Sequence, residues 1–303
     1  MILKIACIGE AMVELTLGGA ANTAGLGFAG DTLNTAIYLR RALPSAEVAF
    51  VSVVGCDGLS DRMVAMIASE GVSTDLLARH PDRLPGIYSI STDAAGERSF
   101  SYWRDRSAAR TLFQSALEFK ALDGFDVVYL SAISLAILPS DIRSLLFDWI
   151  DGYRKRGGRF AFDSNYRPRL WVSRDEARLA VEQAWRRCDI ALPSVDDEMA
   201  LFGESDAAGV LHRLRQWGVS KGALKCGASG PLSFGPMTAG PFPAAGRVVD
   251  TTAAGDSFNA GFLAAYLTGA DEALALKRGH DFACLVIGHL GAIVPKAAWE
   301  EGL

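Results

Sequence analysis

Short apolar runs alternate with longer amphipathic segments along nearly the whole chain. The apolar runs predict β-strands at residues 4–9, 47–54, 126–131, 159–163, 189–192 and 223–226. The segments between and after them carry apolar residues at helical spacing and predict helices near 32–42, 60–70, 139–156, 174–187, 207–217, 255–268 and 271–289. Strands that alternate with helices are typical of a parallel sheet covered by helices on both faces. We therefore expect an α/β fold of three layers, α/β/α, with a mainly parallel central sheet.

One segment interrupts this alternation. Residues 86–91 and 98–104 form two short strand patterns joined by a polar loop at 92–97, which predicts a β-hairpin. Ligands of open α/β sheets bind at the carboxyl ends of the strands, so we expect the hairpin to form a small β lid over that edge. The lid would consist mainly of about residues 86–105, with a contribution from 10–18 left open. No repeat or Pro/Ser-rich linker divides the chain, so we expect a single domain over residues 1–303.

Charge and composition exclude two classes of partner. The chain carries a net charge of −5, whereas proteins that bind nucleic acid present a basic surface. No apolar run approaches the roughly 18 residues that a membrane-spanning helix needs. The five cysteines are scattered and form no CxxC pair, which favours a reducing compartment. We therefore expect a cytoplasmic protein of small-molecule chemistry, without nucleic-acid or membrane partners, whose exposed lid edge leaves homo-oligomer formation open.

A glycine-rich stretch near the N-terminus suggests a different function. Gly25, Gly27 and Gly30 match the GxGxxG pattern of dinucleotide-binding proteins. That pattern has to follow its strand within a few residues, but the first predicted strand ends well before it. The acid that should close the second strand is also missing, because Glu47 opens that strand instead. We interpret the glycines as a flexible approach to a ligand site, and an NAD(P)-binding dehydrogenase is the less favoured alternative.

The strongest local signal is the string DTTAAGDSFNAG at residues 250–261. A loop of small residues runs directly into an amphipathic segment, so free backbone N–H groups and the positive end of a helix dipole would form an anion site suited to phosphate. Ala253, Ala254 and Gly255 would supply these N–H groups and leave room for the phosphate, and Asp256 is placed to accept a proton from an attacking hydroxyl. The residues alone leave a second interpretation equally open, in which Asp256 simply belongs to a helix cap.

This string resembles the DTxGAGD signature of the ribokinase-like (PfkB) family of sugar kinases, and the resemblance implies that Asp256 is the catalytic base. The family usually has glycine where this chain has Ala253; the anion site tolerates alanine provided that the position does not need a positive φ. A second family signature ends in a substrate-binding Asn and is similar to the string GDTLNTA, in which Gly30, Asp31 and Asn34 would bind the sugar. Both signatures stand in the family's order, and the resemblance covers essentially the whole chain.

Two further strings are similar to the family's nucleotide site. Residues 225–230 resemble its KxGxxG turn, and residues 163–167 resemble its DxNxR motif. The resemblance implies ATP as the phosphoryl donor. The residues that it implies for nucleotide contact are Asn165, Arg167, Lys225, Gly227, Gly230, Ala254, Gly255 and Ser257.

The metal contact is not assigned to one residue. The family often carries NxxE, which helps to hold Mg²⁺ through water, and this chain has Ser194 in place of the Asn. Both Asp197 and Glu198 are candidates for the acid. The resemblance therefore implies Mg²⁺ together with ATP and leaves a monovalent cation open.

The lid hairpin bears on the choice of sugar. Tyr88 and Tyr102 would face the cleft, and Arg104 offers a fork of donors suited to a carboxylate. The strings RSFSYWR and GHLGAIVP resemble the 2-keto-3-deoxygluconate kinases within the family. The resemblance implies transfer of the γ-phosphoryl group of ATP to the terminal hydroxyl of that keto acid, with Arg104 and Arg167 at its acid end. A kinase of the same fold for fructose or ribose is the main alternative, and a non-catalytic sugar sensor is another.

Overall fold

The computed structural model describes residues 2–17, 22–92, 98–235 and 240–302. Within these ranges the apolar runs form a central sheet in which every neighbouring pair of strands is parallel. Its strands are β1 (Lys4–Ile8), β4 (Glu47–Val54), β5 (Leu77–Arg79), β8 (Val127–Ser131), β9 (Arg159–Asp163) and β10 (Ile190–Ala191). They lie in the order β10-β9-β8-β1-β4-β5. The predicted parallel sheet is confirmed.

Helices cover both faces of this sheet. The alternation in β1 shows it directly, because Ile5 and Cys7 join one apolar cluster while Ala6 and Ile8 join another on the opposite face. The first face carries α1 (Asp31–Ala42), α2 (Gly58–Ser69), α8 (Ala254–Leu267), α9 (Glu272–Ile287) and α10 (Lys296–Glu301). The second carries α3 (Ala132–Ile137), α4 (Ser140–Lys155), α5 (Arg174–Arg187), α6 (Val195–Phe202) and α7 (Ala207–Gln216). The three-layer α/β/α prediction is confirmed.

The eighth helix lies inside its layer, with α1 on one side and α9 on the other. Its residues from Ser257 to Ala264 are all buried, which explains why the segment is apolar around much of its circumference. None of the helices in the described ranges combines the length and the apolar character that crossing a membrane requires. The apolar character of α8 therefore reflects packing inside the layer.

The strands predicted near residues 190 and 224 are shorter than expected. The second of them, β11 (Ala223–Leu224), pairs antiparallel with β12 (Leu232–Ser233) rather than extending the parallel sheet. It meets the central sheet only through isolated bridges in this part of the described chain, one of which joins Ser194 to Lys225. That bridge holds Lys225 beside the loop that follows β10, at the carboxyl edge of the sheet.

A second, smaller sheet forms the lid. Its strands are β2 (Met12–Leu17), β3 (Ala24–Ala29), β6 (Gly86–Thr92) and β7 (Arg98–Trp103), in the order β3-β2-β6-β7. The strands β6 and β7 form the predicted antiparallel hairpin, and β2 pairs parallel to β6. Residues 93–97 of the loop predicted at 92–97, and residue 18 of the segment 10–18, lie outside the described residues.

Residues 25–29 of the glycine-rich stretch belong to a strand, so the interpretation of Gly25 and Gly27 as a flexible approach to a ligand was wrong. Gly25 and Gly27 lie in β3, which pairs with β2 in regular antiparallel register. Gly25 and Gly27 therefore lie inside a paired strand, and not in a turn between a strand and a helix as the dinucleotide-binding pattern requires. Pairing across the lid explains the extended backbone, and the sequence carried no clear signal for it because glycine is uncommon inside strands.

The lid and the central sheet are joined closely at Gly30. The chain leaves β1 through Glu10 into β2, and it returns from β3 through Gly30 into α1. A Cβ atom on Gly30 would lie 2.1 Å from the carbonyl oxygen of Glu10. Glycine is required there because the outgoing and returning segments touch through their backbones.

Candidate active site

The two signature strings meet at the carboxyl edge of the central sheet. Asn34, in the first turns of α1, donates a hydrogen bond from Nδ2 to Oδ2 of Asp256 at 2.8 Å. Thr35 donates through its hydroxyl to the backbone oxygen of Asp256 at 3.2 Å. The chain separates these partners by 222 positions, and the packing of α1 against α8 brings them together. The predicted base therefore lies beside the predicted sugar-binding residues.

The start of α8 offers the backbone donors of an anion site. Among the described residues, the N–H groups of Ala253, Gly255 and Asp256 have no protein acceptor, whereas Ala254 donates to the carbonyl oxygen of Thr251 at 3.2 Å. The free donors thus include Asp256 in place of the expected Ala254. No side chain caps the helix at Ala253, and the Asp256 carboxylate accepts from Asn34 instead. The simple helix-cap interpretation of Asp256 does not fit this geometry.

Ala253 stands where the family usually has glycine, and its backbone conformation is one that favours glycine. Its φ is 62° and its ψ is 14°, which is the left-handed region that favours glycine. An alanine there costs about 1–2 kcal/mol relative to a right-handed residue. The condition stated for alanine at this position, that it needs no positive φ, is therefore not met. The unpaired N–H donors are present all the same, beside this strained residue.

The surroundings of Asp256 favour its protonated form. Burial and, after it, the nearby carboxylate of Asp31 raise the pKa of Asp256 to about 8, against the hydrogen bond from Asn34 and the charge of Lys225, which lower it. A carboxyl group with a pKa near the working pH is well suited to take up a proton.

Asp31 is held in place by donors from two neighbouring strands. Ser131, at the end of β8, donates its hydroxyl to Oδ2 of Asp31. Asn165, in the loop after β9, donates through Nδ2 to the same oxygen at 2.7 Å. Asn165 was predicted to contact the nucleotide, but its side chain lies beside Asp31 among the predicted sugar-binding residues. It therefore orients the carboxylate expected to bind sugar hydroxyls.

Lys225 lies at the centre of a buried polar network below the anion site. Its Nζ donates to Asp163 at 2.9 Å and to Oδ1 of Asn259 at 3.0 Å. Asn259 in turn donates through Nδ2 to Asp163 at 2.6 Å and to the Tyr129 hydroxyl at 3.0 Å. An ideal Cβ on Gly255 would lie 3.5 Å from Nζ, so the ammonium group sits beside the free N–H groups. The network fixes one positive charge at the point where a phosphate would bind.

Sequence reasoning assigned no role to Asp163, the first residue of the DxNxR string, and it missed Asn259. Asp163 ends the buried strand β9, and Asn259 is fully buried inside α8. The available signal was Asn259, a polar residue in a helical segment that is otherwise apolar. A buried amide needs hydrogen-bond partners, so such a residue points to a polar contact. The partners themselves lie far apart in the sequence, so only the fold identifies them.

The glycines of the predicted KxGxxG turn have a clear backbone role. Gly227 has a φ of 54° and Gly230 a φ of 80°, both in the region that side chains disfavour. The short 3₁₀ turn between them directly follows Lys225 and Cys226. The geometry agrees with a tight turn beside the lysine, as the motif suggested.

The two candidate metal acids have different surroundings. Glu198 is fully buried and accepts hydrogen bonds from Arg213 at 2.8 Å and from Trp185 at 3.1 Å. Asp197 accepts from Arg167 at 3.2 Å, and burial raises its pKa. No cluster of three or more His, Cys, Asp or Glu side chains that could bind a metal occurs among the residues described. Of the two acids, Asp197 is the one whose neighbours belong to the site.

The aromatic residues of the lid pack against each other. The rings of Tyr88 and Tyr102 stack with centroids 5.9 Å apart. Tyr88 is buried and donates its hydroxyl to Glu14, and burial raises the pKa of Tyr88 strongly. Tyr102 is 48% exposed. Tyr102 is therefore the more accessible of the two predicted substrate contacts.

Arg104 is already paired with a carboxylate of the protein. Its Nε donates to Oε2 of Glu10 at 3.0 Å, and Nη2 donates to the same oxygen. Both side chains are buried, and Oε1 of Glu10 has no hydrogen-bond partner. Nη1 of Arg104 makes no hydrogen bond with the described residues. The predicted carboxylate-binding fork thus has one unoccupied donor and a charge that Glu10 balances.

Comparison with known proteins places these motifs in a wider context. The model of the pfkB family carbohydrate kinases matches residues 3–299. The chain is 45% identical to a 2-dehydro-3-deoxygluconokinase from Dickeya dadantii (strain 3937), covering 97% of this chain and 98% of the relative. It is 43% identical to the protein of the same name from Escherichia coli (strain K12), covering 98% and 99%. A crystal structure of fructokinase from Vibrio cholerae O395, with fructose, ADP and calcium ion bound, shares the fold with a TM-score of 0.83 and 24% identity, covering 99% and 98%.

Proposed function

Because the chain belongs to the pfkB family of carbohydrate kinases, we propose that it transfers the γ-phosphoryl group of ATP to 2-dehydro-3-deoxygluconate, also called 2-keto-3-deoxygluconate. The product would be the 6-phosphate ester. Relatives above 40% identity over nearly the full chain carry that name, whereas the fructokinase structure is similar in fold alone. The cytoplasm, where ATP is supplied, is the proposed place of action.

The observation that carries this proposal is the position of Asp256. Its carboxylate lies within hydrogen-bonding distance of Asn34, in the predicted sugar site, and its own N–H belongs to the free donors of the anion site. A hydroxyl bound beside Asp256 would face a phosphate held by those donors. The hydroxyl oxygen forms a bond to the γ-phosphorus, the bond to the β-phosphate oxygen breaks, ADP leaves, and Asp256 receives the hydroxyl proton.

The backbone donors and Lys225 would stabilise the transferring group. Charge spreads over the equatorial oxygens during phosphoryl transfer, and donors fixed beforehand lower its free energy most effectively. The N–H groups of Ala253, Gly255 and Asp256 are unpaired among the described residues, and the ammonium group of Lys225 lies beside Gly255. Gly227 and Gly230 would contact the nucleotide beside Lys225. Ser257 lies in the first turn of α8, the helix whose start carries the unpaired N–H groups, and would contact the nucleotide there.

Magnesium fits the site through Asp197 rather than Glu198. Asp197 lies beside Arg167 and close to the charges of Asp163 and Lys225, while Glu198 is bonded to Arg213 and Trp185. We propose that Asp197 contacts the ion through water. Mg²⁺ bound with ATP supplies positive charge to the phosphate oxygens.

We propose that the sugar acid is bound between the lid and α1. Asp31 and Asn34 would bind its hydroxyls, with Gly30 allowing the close approach of the backbone. Tyr88 and Tyr102 would cover it from the lid. Its carboxylate would bind the free Nη1 of Arg104. Arg167, whose side chain is 53% exposed, would contact the acid end or the phosphates.

A substrate screen tests the proposal. Purified protein with Mg²⁺ and ATP is offered 2-dehydro-3-deoxygluconate, its galactonate-derived stereoisomer, fructose and ribose, and ADP release is measured. We expect the highest kcat/KM for one of the two keto acids. A higher value for fructose or ribose would overturn the proposed substrate while leaving the kinase assignment intact. The molecular mass in solution tests pairing of two copies through the lid edges β3 and β7, which we include in the proposal.

A further inference from the structure

We propose that Arg98 is a positioning residue that fastens the lid to the loop in front of the anion site, so that binding of the sugar acid and binding of the nucleotide assist each other. This inference rests on the proposed phosphoryl transfer for its consequence, but not for its geometry. Arg98 is the first residue of β7, at the edge of the lid sheet. Asp250 opens the string that leads into α8.

A charged contact joins these two parts of the molecule. Nη1 of Arg98 donates to Oδ1 of Asp250, and it lies 3.2 Å from the hydroxyl oxygen of Thr252. The sequence separates Arg98 and Asp250 by 152 positions. The side chain of Asp250 is fully buried and that of Arg98 is 22% exposed. A buried ion pair of this kind is costly to break, because either charge left alone would be poorly solvated.

Asp250 also organises the loop itself. It accepts from the backbone N–H of Thr252 at 3.0 Å and from the Thr252 hydroxyl at 2.7 Å. Its other oxygen accepts from the N–H of Gly291 at 2.7 Å. Thr252 directly precedes Ala253, the residue held in the left-handed region. The guanidinium group of the lid therefore contacts the side chains that set the backbone entering the anion site.

A contact of this kind couples two binding events. If the lid has to lie over the sugar for Arg98 to reach Asp250, a sugar acid that holds the lid in place also holds the loop in its phosphate-binding geometry. Linkage requires the reverse effect to be equal, so a nucleotide that orders the loop tightens binding of the sugar acid. Couplings of this type usually amount to about 5- to 150-fold in affinity. We expect about tenfold here, since the link consists of one side chain, Arg98, with its charged hydrogen bond to Asp250 and its contact with Thr252.

Hydrogen exchange tests the contact without reference to any substrate. We compare the wild type with Arg98→Gln, which keeps a polar side chain but removes the charge and is two atoms shorter, so that it no longer reaches Asp250. Arg106→Gln is the matched control, because Arg106 is exposed and makes no ion pair or hydrogen bond within the described residues. We expect Arg98→Gln to speed exchange in peptides covering 98–104 and 249–254 and to leave 159–187 unchanged. Unchanged exchange at 249–254 would overturn the proposal.

Binding measurements test the coupling. Calorimetry gives the dissociation constant of 2-dehydro-3-deoxygluconate with and without ADP and Mg²⁺. We expect ADP to tighten sugar-acid binding by about tenfold in the wild type and in Arg106→Gln, and by less than about twofold in Arg98→Gln. Arg98→Lys should recover part of the effect, because it restores the charge without the fork. Equal tightening in the wild type and Arg98→Gln would overturn the coupling.

The two experiments fail in different ways. If the wild type binds no keto acid, the proposed function fails, and the exchange experiment still decides whether Arg98 orders the loop. If Arg98→Gln does not fold, Arg98→Lys replaces it in both experiments. The lysine variant should then show faster exchange at 249–254 and weaker tightening than the wild type, because a single ammonium group cannot reproduce the contacts of the guanidinium fork. Wild-type exchange and wild-type tightening in that variant would overturn the proposal.

Discussion

Two buried carboxyl groups, Asp256 at the sheet edge and Glu198 at the start of α6, have similarly raised pKa values but different surroundings. Burial raises the pKa of Asp256 to about 8 and that of Glu198 to about 7. Glu198 has a guanidinium group and an indole N–H as fixed partners. Asp256 has an amide partner, a second carboxylate nearby and free backbone donors beside it. A raised pKa thus marks both a structural acid and a candidate base, and the partners distinguish them.

The largest expected effect comes from removing the candidate base. Asp256→Asn keeps the size of the side chain and its ability to accept from Asn34, but it cannot take up the proton. We expect kcat to fall by about 10²–10⁴-fold with little change in KM for either substrate. Steady-state assays of ADP release measure both constants. A variant with wild-type kcat would remove Asp256 from the mechanism and end the contrast with Glu198.

The matched change at the other carboxyl group should act on stability. Glu198→Ala leaves Arg213 buried with one acidic partner fewer, so we expect the free energy of unfolding to drop by about 3 kcal/mol. The kcat of the folded fraction should stay close to that of the wild type. Urea unfolding followed by circular dichroism, together with kcat, makes the test. A large loss of kcat at unchanged stability would instead place Glu198 at the metal.

The pH dependence sharpens the comparison further. The base has to be unprotonated, and the pKa of Asp256 is raised to about 8, so kcat/KM should rise with pH and level off above about 8. Each unit below that value should cost about tenfold. A profile already flat at pH 6 would contradict the raised pKa.

The same shift has a consequence for stability. Because the folded-state pKa lies above the ordinary value of 3.8, the stabilising effect of the bound proton is complete below pH 4 and is lost as the pH rises through about 8. The stability of Asp256→Asn does not fall in this way as the pH rises, because asparagine binds no titrating proton. Its stability relative to the wild type should therefore increase from pH 5 to pH 9, as measured by chemical unfolding at each pH.

The smallest expected effect concerns the strained residue at the entrance of the anion site. Ala253→Gly relieves the left-handed conformation but increases the flexibility of the unfolded chain and removes a buried methyl group. These contributions oppose each other, so we expect a change in unfolding free energy of no more than about 1 kcal/mol. The kcat should stay within about twofold of the wild type. A loss of several kcal/mol would show that packing of the methyl group outweighs the strain.

The strongly periodic elements could be predicted from the sequence. The helix expected at 174–187 is present as Arg174–Arg187, because a serine cap precedes it and basic residues end it. The strand at residues 24–29 could not be predicted, since its glycines and exposed positions carry no alternation and its pairing with β2 is set by the lid. The local hydrophobic pattern therefore predicts the elements of the three layers, whereas the strands of the lid depend on pairing between segments that are distant in the sequence.

The candidate site divides in the same way. Asp256, Asn34 and Lys225 belong to recognisable strings, and the structure brings them together. The roles of Asp163 and Asn259 depend on atoms that meet only after folding. The pairing of Arg104 with Glu10, which changes how a substrate carboxylate could be bound, depends on the turn from the central sheet into the lid. The type and order of residues in the sequence identify candidate site residues, whereas the hydrogen-bond partners that meet in the fold determine the chemistry of each.

The long separation between Asn34 and Asp256 affects how the protein acquires activity during synthesis. A ribosome has to complete α8 before the two side chains can meet, so a nascent chain that ends ahead of it has no assembled centre, however well its first strands have folded. Fragments truncated before residue 250 should neither transfer phosphate nor hydrolyse ATP. The appearance of activity in a translation reaction would thus report that the α8 region has been synthesised and has folded against α1. Contacts between residues so far apart in the sequence form slowly.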